Sequence, residues 1–187
     1  MALVVALLVA HARSSAFPGF EPTADGIGIV NVTAPPFSVD PSGTTDVTLT
    51  LQRAIDAAKA ANLALFLPAG RYLVSDTLAC DQINWAGGDG QINIVPDRFR
   101  AHVILGSVAA LPARPTIVLA PRTPGFGNAS SPKSVMRIHN PGNENINMNQ
   151  VIRGVDFEVG AGNPGAIALV RSASPQPSAP QRLWLSG

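Results

Sequence analysis

The spacing of apolar and polar positions is helical in one segment near the start of the chain. In residues 44–62, the apolar residues that recur at helical spacing are Val47, Leu51, Ile55 and Ala58. Asp46 or Thr45 is expected to cap the first turn, since both side chains accept hydrogen bonds from unpaired amides. Asn62 suits the left-handed residue that ends a helix. The pattern predicts one amphipathic helix over residues 47–61.

Short apolar runs replace the helical pattern after this segment. They are LALFLP (63–68), YLVSDTL (72–78), HVILG (102–106), PTIVLAP (115–121), VMRIHN (135–140), QVIRGVDFEVG (150–160) and AIALV (166–170). Pro68 and Gly70 mark a tight turn after the first run. From HVILG onward the starts are roughly 13 to 20 residues apart, too far for a sandwich, and no helical segment separates them as a βαβ fold requires. The spacing predicts stacked β-coils.

A stack of β-coils exposes unpaired backbone and apolar side chains at its first end. The predicted helix precedes the first coil, and its apolar stripe is suited to cover that end. We therefore expect an all-β solenoid with an N-terminal capping α-helix.

Composition and charge limit the kinds of molecule that the protein is expected to bind. The 187 residues carry a net charge of +1 and no run of five Lys or Arg, so we expect no nucleic-acid partner. Only 13% of residues are charged, against about 25% in an average domain, and the 17 Gly and 17 Pro favour turns. His11, His102, His139 and the single Cys80 show no metal-ligand spacing, and we expect no metal and no cofactor.

The N-terminus is typical of a secretory signal. An apolar run over residues 2–10, too short to span a bilayer, is followed by a small-x-small pattern at Ala10 to Ala12. The alternative is an N-terminal strand of the fold. A signal over residues 1–16 predicts a secreted, extracellular protein with no membrane partner after its removal. Asn31 and Asn128 begin Asn-x-Thr and Asn-x-Ser sequons and are candidate glycosylation sites.

Candidate catalytic residues are few. Asp156 and Glu158 are two apart in a strand-like run, so both carboxylates share one face. A glycosidase needs two carboxylates about 5 to 9.5 Å apart, and these two are the close pair of the sequence. A solvated strand face shows the same pattern. Arg153 could be the base of a lyase, but an exposed charge on the outer strand face is the favoured explanation. GAGNPG (160–165) matches a dinucleotide-binding motif, but a strand-like run follows it, so we expect a turn between coils.

The helix and the two runs after it resemble the pectate-lyase-like superfamily. The residues that carry the resemblance are Gln52, Ala54, Ile55, Asp56, Ala57 and Ala58, then Leu67, Pro68, Gly70 and Tyr72. They match a Q-x-A-I-D-A-A helix followed by L-P-x-G-x-Y, as in exo-β-1,3-glucanases, rhamnogalacturonase- or epimerase-like domains and tailspike-like depolymerases. Val47 stands where many members have a second Asp.

The resemblance implies a right-handed single-stranded parallel β-helix over residues 37–170, of which the chain holds the N-terminal portion. Residues 171–187 form a Pro- and Ser-rich tail that is expected to be irregular. The implied partner is a polysaccharide, and the implied parent activity is hydrolysis of β-1,3-glucan or a pectin-like polymer. The alternative is a non-catalytic glycan-binding or structural β-helix. Catalytic residues are expected in later coils, and the sequence leaves the oligomeric state open.

Overall fold

A computed structural model of the protein describes residues 28–82, 100–108, 113–139, 149–171 and 182–183. Within these residues the chain is mostly β, with twelve strands and one α-helix. In chain order the elements are β1 (Ile29–Asn31), β2 (Ser42–Asp46), α1 (Thr48–Ala60), β3 (Ala64–Leu67), β4 (Arg71–Val74), β5 (Leu78–Asp81), β6 (Val103–Gly106), β7 (Thr116–Leu119), β8 (Lys133–His139), β9 (Val151–Arg153), β10 (Asp156–Val159), β11 (Ala166–Arg171) and β12 (Arg182–Leu183).

The strands form three sheets of four. The first sheet has the order β1-β3-β6-β9, the second β2-β4-β7-β10 and the third β5-β8-β11-β12. All pairs are parallel except β11 with β12. From β3 to β11 the chain visits the first, second and third sheets in that repeating order. Each circuit adds one strand to each sheet, and α1 follows β2 where later circuits have a third-sheet strand.

Apolar side chains from equivalent positions of successive circuits form the core. In the second sheet Tyr72, Ile117 and Phe157 are register partners, and the first two are fully buried. In the first sheet Leu65 pairs with Ile104 in the same way. Because side chains alternate between the two faces of a strand, this register directs one apolar set inward from each sheet. The expectation of an all-β protein with stacked parallel strands is confirmed at this level.

Helix α1 packs its predicted stripe against the strands. The buried apolar residues of the stripe are Val47, Leu51, Ile55 and Ala58, and α1 contacts β5, β3 and β1. Asn62 has the left-handed conformation expected of it, with φ 56°. The prediction of one amphipathic helix is confirmed for the described residues.

The side chain of Gln52 pairs with the edge of the third sheet. Its Nε2 donates to the Ala79 carbonyl at 2.9 Å, and its Oε1 accepts from the Ala79 amide at 2.8 Å. Ala79 lies on β5, whose one strand neighbour among the described residues is β8. The primary amide of Gln52 therefore makes the two hydrogen bonds that a neighbouring strand would make. Lys59, two turns further along α1, donates to the Asp81 carbonyl of the same strand.

The predicted N-cap was wrong by at least one residue. The N-cap position is Val47, and no side chain caps it there. Asp46 lies one residue earlier, where its carboxylate accepts from the Thr48 amide at 2.9 Å and from the Thr48 hydroxyl at 2.6 Å. Since Asp46 also ends β2, the strand determines its backbone and the helix begins only after it.

Two predicted runs each divide into two strands. Residues 72–78 turn at Ser75, so that β4 lies in the second sheet and β5 in the third. Residues 150–160 turn at Gly154, between β9 in the first sheet and β10 in the second. Corners of two or three residues interrupt the apolar pattern too briefly to be recognised as turns. The tail is not wholly irregular either, because Arg182–Leu183 forms β12.

The corners depend on glycine and on specific polar contacts. Gly106 and Gly154 occupy equivalent corners in successive circuits, and a Cβ on Gly106 would lie 1.9 Å from the Gly154 carbonyl oxygen. At the first such corner the Tyr72 hydroxyl donates to the Pro68 carbonyl at 2.8 Å. The GAGNPG segment is a turn between β10 and β11, as predicted. There Asn163, 6% exposed, accepts from the Thr123 amide of the preceding circuit at 2.7 Å.

Candidate functional site on the outer face of the second sheet

The second sheet presents charged side chains on the face opposite the core. Arg71, Thr116 and Asp156 are register partners across β4, β7 and β10. The inward positions beside them are Tyr72 and Ile117, so alternation directs this row outward. We call Arg71, Arg114, Thr116, Asp156 and Glu158 the charged face.

Glu158 forms the closest ion pair of the charged face. Its Oε1 accepts from the Arg71 guanidinium at 2.8 Å, and each side chain is 50% exposed. Strand β7 lies between the two residues, so the Arg71 side chain crosses over it. Val118, the register partner of Glu158 at an outward position on β7, is only 7% exposed. The hydrogen bond from Arg71 lowers the pKa of the Glu158 carboxyl.

Asp156 has a looser partner. The Arg114 guanidinium, just before β7, lies 3.8 Å from its carboxylate, and both side chains are about half exposed. The prediction that Asp156 and Glu158 share a face agrees with this arrangement, since each carboxylate has its own arginine on the same side of the sheet. Arg153 lies on β9, in the first sheet, across the Gly154 corner from them.

The charged face presents both hydrogen-bond donors and hydrogen-bond acceptors, and they are separated by the distance between neighbouring strands. Guanidinium groups donate several hydrogen bonds in a plane, and ionised carboxylates accept them. A carboxyl group with a lowered pKa remains ionised at neutral pH, so Glu158 is suited to accept hydrogen bonds, act as a base or stabilise positive charge. It is not suited to donate a proton as a general acid, which requires a raised pKa.

A second cluster of polar side chains, apart from the charged face, lies where the chain passes from the third sheet to the first. His102 and Gln150 precede β6 and β9 at equivalent positions, and the Gln150 Oε1 accepts from the His102 amide at 2.8 Å. The Gln150 Nε2 donates to the buried Gln82 at 3.0 Å. Sequence reasoning missed Gln82 and Gln150. The available signal for Gln150 was a polar residue directly before two of the first-sheet strand runs, His102 in HVILG and Gln150 in QVIRG.

The remaining histidines and the cysteine are not assembled into a site. Burial raises the pKa of the Cys80 thiol to about 12, which makes it unreactive. His139 ends β8, where its carbonyl accepts from the Gln82 amide, and His11 lies outside the described residues. In the described part of the chain, no three His, Cys, Asp or Glu residues are close enough to hold a metal ion.

The two candidate glycosylation sites are exposed. Asn31 is the last residue of β1, and Asn128 lies in the connection between β7 and β8. The predicted signal over residues 1–16 lies outside the described residues. None of the described helices is long and apolar enough to cross a membrane.

Comparison of the chain with known proteins finds little similarity. No protein family matches the sequence, and no curated protein matches it. Among solved structures, the chain is similar to the Dettilon tailspike protein, with 17% identity over 78% of this chain and a TM-score of 0.31. The chain spans 23% of the length of that tailspike. A TM-score this low does not establish a shared fold.

Proposed function

We propose that the chain is the N-terminal part of a secreted right-handed parallel β-helix that engages a polysaccharide through the charged face. The single observation that carries the proposal is the in-register row of Arg71, Thr116 and Asp156 with the Arg71–Glu158 pair beside it, on the outside of a stacked parallel sheet. Residues 1–16 are the signal in this proposal, and the polysaccharide is the partner, with no cofactor.

The role of α1 supports the β-helix architecture. In the first circuit α1 takes the place of a third-sheet strand, and Gln52 supplies the hydrogen bonds that such a strand would make to β5. Unpaired strand edges invite association with other chains, so a first coil needs such cover. Gln52 and Tyr72 belong to the motif that resembles the pectate-lyase-like superfamily, and both perform structural tasks at this end.

A polysaccharide fits the charged face chemically. Parallel strands lie about 4.8 Å apart, so consecutive rows present polar groups at a regular interval along the stack. Sugar hydroxyls both donate and accept, and can therefore bind guanidinium and carboxylate groups alternately. The low net charge of +1 favours such a neutral or weakly acidic partner over a polyanion with dense charge.

The proposed parent activity is glycoside hydrolysis, with β-1,3-glucan and pectin-like polymers as candidate substrates. In such a reaction Glu158 would serve as base or nucleophile, because both roles need a carboxylate and the hydrogen bond from Arg71 favours that ionised form. Asp156 is the candidate partner within the described coils.

A non-catalytic glycan-binding β-helix is the second candidate. The observation that favours it is that both carboxylates of the charged face have an arginine partner, at 2.8 Å for Glu158 and 3.8 Å for Asp156. A guanidinium beside a carboxylate favours its ionised form, whereas hydrolysis needs one protonated acid.

The test measures binding and turnover together on the full chain. Laminarin and polygalacturonate are offered to the protein, to the variants Arg71→Ala and Glu158→Gln, and to Arg53→Ala, which changes an exposed arginine on α1. Affinity electrophoresis reports binding; reducing ends and the ultraviolet absorbance of unsaturated products report hydrolysis and elimination.

Each outcome selects among the hypotheses. Binding that both charged-face variants weaken and Arg53→Ala does not supports the proposed site. Turnover that Glu158→Gln removes supports a hydrolase with its reacting group on this face, whereas binding without turnover supports the non-catalytic candidate. Absence of binding to both polymers, in a protein shown to be folded by circular dichroism, would contradict the proposed partner.

A further inference from the structure

We propose that Asn31 and Asn128 are modification sites that carry N-linked oligosaccharides. This inference rests on the secretion included in the proposed function, and it is separate from polysaccharide binding. Across the 187 residues these two asparagines are the ones that begin an Asn-x-Ser/Thr sequon. Sequons arise often by chance, so the argument depends on their geometry.

The Asn31 sequon is folded into a tight local turn. The Thr33 amide donates to the Asn31 Oδ1 at 3.0 Å, and the Thr33 hydroxyl donates to the same oxygen at 2.9 Å. The Asn31 side chain is exposed, while Val32 between the two is buried and anchors the segment. Both donors of Thr33 are thus bound to the carbonyl oxygen of the acceptor side chain, and its Nδ2 has no hydrogen-bond partner within the described residues.

The Asn128 sequon shares the amide hydrogen bond of this arrangement, without the hydroxyl bond, in a different part of the fold. The Ser130 amide donates to the Asn128 Oδ1 at 2.9 Å, and all three residues of the sequon are exposed. The backbone beneath is held firmly, because the Ser131 amide donates to the Asn128 carbonyl at 3.1 Å. A Cβ on Gly165 of the next circuit would lie 2.3 Å from that carbonyl oxygen, so the two turns are closely stacked. The Asn128 side chain is therefore exposed on a turn that packs closely against the next circuit.

The local hydrogen bonds favour reaction at Nδ2. In the transfer, Nδ2 forms a bond to the anomeric carbon of a lipid-pyrophosphate-linked oligosaccharide, the bond from that carbon to the pyrophosphate oxygen breaks, and Nδ2 loses one proton to the transferase. Removing that proton moves negative charge onto Oδ1. Donors at 2.9 to 3.0 Å from Oδ1 stabilise that charge, as charge-assisted hydrogen bonds do.

Asn163 is an internal contrast. It lies in a turn equivalent to the one that holds Thr123, but it is 6% exposed, and its Nδ2 donates to the Ala120 and Gly160 carbonyls at 2.8 Å each. Pro164 follows it, so no sequon is present. The Asn163 side chain therefore stabilises its turn, whereas the side chains of Asn31 and Asn128 are exposed and available for attachment of an oligosaccharide.

An oligosaccharide on Asn31 would also protect the fold. Asn31 ends β1, which lies at the edge of the first sheet as far as the described residues show it. A bulky, hydrated group at the end of an edge strand hinders pairing with a strand of another chain.

The experiment expresses the full chain in a eukaryotic cell with a secretory pathway, once with its own N-terminus and once with an established cleavable leader placed before residue 1. Gel mobility is read before and after digestion with an endoglycosidase. The variants are Asn31→Gln and Asn128→Gln. Thr33→Ser and Ser130→Thr keep each sequon, and Asn62→Gln changes an exposed asparagine outside any sequon.

The expected result is two mobility steps that the endoglycosidase removes. Each Asn→Gln variant loses one step, the double variant loses both, and the three control variants keep both. Modification only with the added leader would support the two sites and contradict secretion by the chain's own N-terminus. A leader-directed, secreted chain that migrates as a single unmodified band would overturn the inference, whatever its polysaccharide binding.

Discussion

Replacing Gln52 with Met tests whether α1 stabilises the third sheet through its strand-like hydrogen bonds. Met has nearly the same length and a similar helix propensity, but it makes neither bond to Ala79. The two lost bonds to Ala79 measure 2.8 and 2.9 Å, and each contributes about 0.5–1.5 kcal/mol to stability. The exposed bond from Gln52 Nε2 to Asp56 Oδ1, at 2.9 Å, is lost as well and adds at most a few tenths of a kcal/mol, about 0.2–0.5 for such a pair on a helix. We therefore expect the free energy of unfolding to fall by about 2 kcal/mol, or roughly 4–8 °C in Tm for a chain of this size.

Urea unfolding followed by circular dichroism measures this loss, with thermal unfolding as a second readout. The matched control is Arg53→Met, which places the same side chain at the next, exposed position of α1 and is expected to change stability by less than about 0.5 kcal/mol. If the Gln52→Met protein is as stable as the Arg53→Met protein, the bonds to Ala79 contribute nothing and water satisfies the β5 edge equally well.

The remaining predictions concern a corner and a buried histidine. In the Gly106→Ala variant the new Cβ would lie 1.9 Å from the Gly154 carbonyl oxygen, so we expect the free energy of unfolding in urea to fall by about 2 kcal/mol or more. Gly127 has open space around it, so Gly127→Ala should leave stability unchanged. Equal stabilities of the two variants would refute the close approach. Burial, with a smaller contribution from Lys59, lowers the pKa of His102 to about 4, below its unfolded value near 6.5. Above pH 6.5 the His102 imidazole is neutral in both the folded and the unfolded chain and costs no stability. As the pH falls from 6.5 toward 4, up to about 3 kcal/mol is lost, because the unfolded chain binds the proton first. His102→Gln should weaken that pH dependence; an unchanged dependence would contradict it.

The helix and the positions of most strands could be predicted from the sequence. Val47, Leu51, Ile55 and Ala58 recur at helical spacing, and all four are buried against the strands. Periodicity is a local property, so it predicts which residues share a face before any partner is known. The corner at Ser75 escaped the same reasoning, because three residues are too few to disturb an apolar pattern.

The candidate site was predictable only in part. Alternation along one strand placed Asp156 and Glu158 on the same face, but their partners Arg71 and Arg114 come from positions 87 and 42 residues earlier in the chain. No local pattern connects residues at that separation. The pairing arises because β4, β7 and β10 are stacked in register.

The sequence by itself determined which residues share a face, as in the apolar stripe of α1 and the pair Asp156 and Glu158. It also determined the turn at GAGNPG and the two Asn-x-Ser/Thr sequons. These are properties of a few consecutive residues and follow from backbone geometry. The tertiary structure alone decided that Gln52 bonds to the edge of β5, that Gly106 contacts Gly154, and that Arg71 lowers the pKa of Glu158. Each of these contacts joins residues of different circuits. Which residues meet depends on the register between parallel strands, and that register is set by contacts between residues far apart in the chain.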